Sequence, residues 1–97
     1  MPAYCIANVE VTDPDTYERY RSRVVATIEK FGGRYLARGG KAEAREGSLK
    51  PHRIVILEFP DLDTAKRWYD SPEYQAIIGY RTKATRTDLV MVEGVQG

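Results

Sequence analysis

The chain has 97 residues, with 15 Lys and Arg against 14 Asp and Glu and a formal net charge of +1. Its basic residues are scattered rather than massed, which excludes the basic patch or stripe of a nucleic-acid partner. The lone cysteine excludes an internal disulfide, and no run approaches the ~20 apolar residues of a membrane span. The N-terminus lacks the basic-then-apolar layout of a secretion signal, so a cytoplasmic protein is expected. A single domain over residues 1–97 is expected at this length. So short a chain hides only roughly 60–65% of its unfolded surface, and a second apolar face would have to find a partner.

Ala3 to Val11 reads as a strand from its Tyr, Ile and Val content. Alternation sets Tyr4, Ile6, Asn8 and Glu10 on one side and Cys5, Ala7, Val9 and Val11 on the other. Cys5 is then a small core residue. Asp13-Pro14 opens a helix, with Asp accepting free N–H groups and Pro at a position that has no donor to lose. Tyr17, Tyr20, Val24, Ile28 and Phe31 recur at helical spacing, and Gly32-Gly33 ends the helix. Arg34 to Arg38 resumes as a second strand, bent or bulged at Gly39-Gly40. Lys41 to Pro51 is a polar, hairpin-like loop with room for a short strand around Ala42–Arg45.

Ile54 to Phe59 is a third strand, apolar on both sides except for Glu58. Pro60-Asp61 breaks it and caps a helix whose inner stripe is Leu62, Ala65, Trp68 and Tyr69. Ser71-Pro72-Glu73 restarts a helix, and Tyr74, Ile77, Ile78 and Arg81 follow at i, i+3, i+4 and i+7. Leu89 to Val95 supplies the last strand. The order predicts an α+β, ferredoxin-like β-α-β-β-α-β fold: an antiparallel sheet with helices on one face and the second helix broken near Ser71. Ile54 and Ile56 oppose Val55, Leu57 and Phe59, as Val90 and Val92 oppose Leu89 and Met91. Helices can cover only one of these sets, and the other would be an apolar patch larger than monomers normally show. A homodimer with two sheets face to face is therefore expected. Burial of a few hundred Å² at about 25 cal/mol per Å² would supply several kcal/mol.

These features together resemble the domain of unknown function 1330 family, within the dimeric α/β-barrel superfamily. The resemblance rests on Asp13-Pro14 with Tyr17 and Tyr20, the run Gly32 to Gly40, Glu46-Gly47, Arg53 and Glu58-Phe59-Pro60. It continues through Trp68-Tyr69, Ser71-Pro72-Glu73-Tyr74 and Arg81, nearly the whole chain. It implies the fold and the dimer, whereas function by kinship of fold is an analogy. The superfamily includes cofactor-independent quinone-forming monooxygenases, haem-degrading monooxygenases and small isomerases. Asn8 and Trp68 lie roughly where the haem-degrading members keep an Asn and a Trp. Ile77 and Ile78 occupy the segment from which those enzymes present an iron-ligating His, and aliphatic side chains cannot ligate iron.

Candidates for chemistry are few. One His, one Cys and no close-spaced His/carboxylate motif give no metal site, and Gly39-Gly40 lacks the pattern of a phosphate loop. No cofactor is expected. His52, at the mouth of the third strand, is either a solvent-facing residue or a general base with an ordinary pKa of ~6.5. Glu58 is either half of a structural ion pair with Arg38, Arg53 or Arg81, or an acid or base beside a ligand. Tyr20, Trp68 and Tyr74 read as core, or as the apolar wall of a small-molecule pocket between sheet and helices. In the second reading Arg38 and Arg81 supply the contact to a carboxylate, phenolate or enolate, and Asn8 joins the site. The functional expectation is binding of a small aromatic or acidic metabolite. The alternatives are a cofactor-free oxygenase or isomerase using Glu58 or His52 for proton transfer, and a ligand-free structural or stress-associated dimer.

Overall fold

The computed structural model describes residues 1–95, in the order β1 (Ala3–Val11), α1 (Pro14–Lys30), β2 (Arg34–Arg38), β3 (Arg53–Phe59), α2 (Leu62–Asp70), α3 (Pro72–Ala84) and β4 (Thr85–Glu93). The strands form one antiparallel sheet in the order β2-β3-β1-β4. This is the ferredoxin-like arrangement anticipated from the order of elements.

Each helix starts where a short polar side chain takes up a free N–H. The Asp13 carboxylate accepts from Thr16 N at 3.3 Å, that of Asp61 from Thr64 N at 2.7 Å, and Ser71 Oγ from Tyr74 N at 3.2 Å. Ser71 also donates its hydroxyl to the Trp68 carbonyl, 2.7 Å away, so one side chain ends α2 and begins α3. Gly32, with φ +73°, takes the left-handed turn that closes α1.

The helices cover the face of the sheet that carries Cys5, Ala7, Val9, Leu57 and Phe59, all buried. From α1 they contribute Tyr17, Tyr20, Val24 and Ile28, and from α2 and α3 chiefly Trp68, Tyr74 and Ile77. On the other face Ile6 lies in register with Ile56 on one side and Val90 on the other. There Val90 is 59% exposed, Val92 47% and Leu36 48%.

Besides β3, which begins at Arg53 rather than Ile54, three boundaries differ from the sequence reading. The loop after β2 carries no strand at residues 42–45, whose side chains are exposed and have no partner strand. The last strand begins at Thr85 rather than Leu89, because α3 passes into it without a loop and Thr85 to Asp88 pair with Val11 to Asn8. It ends at Glu93, short of Val95. In β2 the register shifts between Tyr35 and Ala37, a bulge at Leu36. No helix among the described residues is long and apolar enough to cross a membrane.

Candidate functional site

An internal cavity of about 40 Å³ lies between the helices and the inner face of the sheet. Its walls are mostly apolar, with Cys5, Val9, Val24, Leu57 and Trp68 among them. Its charged lining is four arginines, Arg21, Arg38, Arg53 and Arg81, and includes no carboxylate.

The aromatic end is tightly built. The Trp68 ring stands 4.2 Å from that of Tyr74 and 5.2 Å from that of Phe59, and its indole N–H donates to Thr27 Oγ1 at 3.1 Å. The Tyr20 and Tyr74 hydroxyls share a hydrogen bond of 2.8 Å. Burial pushes both phenols above their ordinary pKa, so each is a hydrogen-bond donor rather than a base at neutral pH. Burial likewise raises the Cys5 thiol to about 11, against the opposing pull of Arg81, which leaves it protonated and weakly nucleophilic.

Arg81 enters from the last turn of α3, only 7% exposed. Its guanidinium carbon lies 6.0 Å from the centre of the Tyr20 ring. Burial acts to lower its pKa, but the Tyr74 and Tyr20 side chains, a hydrogen bond with Tyr74 among their effects, act to raise it and prevail, and the group stays charged. Its Nε is buried without a hydrogen-bond partner, and so is that of Arg53. An unsatisfied buried donor costs about 1–3 kcal/mol.

The mouth is formed by stacked pairs, with Arg38 over the Tyr35 ring at 4.5 Å and Arg53 over the Tyr17 ring at 6.0 Å. Arg38 reaches this face because of the bulge at Leu36. Arg34 pairs with Glu58 on the outer face, whereas Arg38 pairs with Val55 on the inner one. Gly39 turns the chain away with φ +74°, and the Arg53 guanidinium lies where a Cβ on Gly39 would stand.

Of the residues singled out in the sequence, the cavity thus collects Tyr20, Arg38, Trp68 and Arg81, with Tyr74 directly behind. Three others are elsewhere, which corrects their assignment to one site. Glu58 lies on the outer face, where its carboxylate accepts from Arg34 Nε at 2.8 Å; it is an ion pair, with a partner other than the three expected. Asn8 also faces outward and ties down the long loop, donating to the Lys50 carbonyl at 2.9 Å and accepting from His52 N at 2.8 Å. His52 is exposed beside it, at an open groove that also includes Glu10, Arg86 and Asp88. The parity of β1 and β3 forces this separation, since Asn8 and Glu58 alternate with the inward Val9 and Leu57. Arg53, Tyr17 and Tyr35 were missing from the sequence-derived site. Alternation back from Val55 points Arg53 inward, whereas Tyr35 depends on strand register. Among the described residues no three His, Cys, Asp or Glu side chains come together as a metal site.

A family model described as "Domain of unknown function (DUF1330)" matches residues 2–95. The chain belongs to the DUF1330 family. A search of curated proteins finds no match. Solved structures share the DUF1330 chain's fold at low identity. A protein of unknown function from Rhodopseudomonas palustris, RPA0582, is 16% identical with a TM-score of 0.80, covering 99% of this chain and 84% of that one. SnoaB from Streptomyces nogalater, a cofactor-independent oxygenase, is 12% identical with a TM-score of 0.65, covering 99% and 95%. A dimeric ferredoxin-like protein of unknown function from Jannaschia sp. CCS1 is 15% identical with a TM-score of 0.65, covering 97% and 100%.

Proposed function

We propose that this DUF1330 protein is a cytoplasmic homodimer of single-domain subunits, each binding a small acidic metabolite in the cavity between sheet and helices. Arg81 carries this reading: a guanidinium 7% exposed, with Nε unpartnered, in an apolar cavity whose lining offers no counter-ion. A buried charge without a partner is costly unless something neutralises it, and an anion entering the cavity does so. Arg38 and Arg53 at the mouth draw the anion in, and Tyr20 and Trp68 form the walls. Support for the dimer comes from the uncovered apolar face and from the Jannaschia protein, described as dimeric.

Arg81→Met tests the site, with acetate as the probe. A charge-assisted hydrogen bond is worth roughly 1.5–3 kcal/mol, so acetate affinity should fall about tenfold or more. The thermal midpoint of the ligand-free protein should hold or rise, because a buried unpaired charge has been replaced by an apolar side chain of similar size. A marked loss of stability with unchanged acetate affinity would instead assign Arg81 to a ligand-free structural dimer.

The likeness to SnoaB favours a second reading, cofactor-independent oxygenation. With Glu58 and His52 outside the cavity and the Tyr20 and Tyr74 phenols held protonated, the lining offers no base. A substrate for such a reaction would have to arrive already ionised, as a phenolate or enolate paired with Arg81. Oxygen uptake with an acidic phenol, rising as the pH passes the pKa of the phenol itself, would establish it.

A further inference from the structure

Two arginines line one cavity, and each has its Nε buried without a hydrogen-bond partner. Arg53 begins β3 in register with Val9, and Arg81 comes from the last turn of α3. Each guanidinium lies over a different ring, Arg53 over Tyr17 and Arg81 over Tyr20, and these two rings are stacked with centres 5.8 Å apart. Gly39 fixes the position of Arg53, since only a residue without Cβ leaves room for the guanidinium. The arrangement is two cations beside neighbouring aromatic rings, both lining one small, mostly apolar void.

We propose that the cavity is built for a short dicarboxylate, one carboxylate on Arg81 at the inner end and the other on Arg53 near the mouth. This deepens the reading of the site as an anion pocket and rests on it. A monocarboxylate satisfies one unpartnered Nε and leaves the second without an acceptor, whereas a dianion satisfies both. In a low-dielectric site that difference is large. Size points the same way. A water needs roughly 10–15 Å³ by this measure, so about 40 Å³ suits a molecule of a few carbons and excludes a fused-ring compound unless the mouth opens. A phosphate ion carries comparable charge on one centre, so it separates a requirement for charge from a requirement for two carboxylates.

Calorimetric titration at constant ionic strength tests the proposal, using acetate and propionate against malonate and succinate, with inorganic phosphate as a separate arm. The dicarboxylates should bind about ten- to a hundredfold tighter than the monocarboxylates, the worth of a second charge-assisted contact. Arg53→Gln should bring that ratio close to one, and Gly39→Ala, which displaces Arg53 without removing its charge, should lower it. Equal affinities for the two classes in the unaltered protein would overturn the proposal and leave the anion pocket standing. So would a preference that survives Arg53→Gln in a protein with unchanged circular dichroism, or phosphate binding tighter than either dicarboxylate. If none of the anions binds, the anion pocket itself falls.

Discussion

On the inner face of the sheet Phe59 packs 5.2 Å from Trp68, while on the outer face of the same sheet Val90 and Val92 stand 59% and 47% exposed. The two faces differ little in apolar content, for Ile6, Ile54 and Ile56 are as greasy as Val9, Val55 and Leu57. They differ in what covers them. Three helices roof the inner face and leave a charged cavity in its midst, whereas no helix covers the outer face, whose ionic groups lie at the margins. Arg34 with Glu58, and Arg86 with Glu10 at 3.9 Å, belong to that margin. The proposed chemistry thus lies on one side and the proposed association on the other, a division that can be attacked from either side.

The largest expected effect is on the roofed face. Trp68→Ala removes the ring that Phe59 and Tyr74 pack against and should cost roughly 3–5 kcal/mol of stability. Thermal unfolding followed by circular dichroism would show it, at roughly 4–8 °C per kcal/mol for a domain of this size. A shift of a degree or two would mean that the inner face is loosely built. Next is the open face. Ile6→Glu sets a carboxylate at the centre of the apolar row, twice in any symmetric pair, and should weaken self-association about a hundredfold. Sedimentation at micromolar concentration should show a dimer for the unaltered chain and a monomer for the variant. A monomeric unaltered chain would end the comparison. The smallest effect sharpens it: Tyr20→Phe leaves the Tyr74 hydroxyl unpaired and should cost about 1 kcal/mol, with self-association unchanged.

The fold was legible because its punctuation is chemical. Asp13-Pro14, Asp61 and Ser71-Pro72 announce helix starts, and strand alternation sorts buried from exposed side chains in β1, β3 and β4. Half of the site was legible for the same reason, since Tyr74 and Arg81 fall on one helical stripe. Asn8 and Glu58 were grouped with the cavity although their parity opposes it; the information was present and unused. Arg38 is a different case. Simple alternation would put it beside Arg34, and only the bulge at Leu36, set by pairing with a strand some twenty residues away, turns it inward. Thr85 to Asp88, polar and short of apolar residues, gave no strand signal because its pairing with β1 is a tertiary fact.

The seam between α3 and β4 sets how this chain tolerates changes of length. No spacer separates Ala84 from Thr85; the Ala84 carbonyl accepts from both Thr12 N and Asp13 N, and Thr85 Oγ1 donates to the Arg81 carbonyl at 2.6 Å. A residue inserted within the last turn after Arg81 would swing its guanidinium about 100° around the helix axis, out of the cavity. The stretch from Gly40 to Leu49 has no such constraint, and it is there that additions and deletions can accumulate while the position of Arg81 stays fixed.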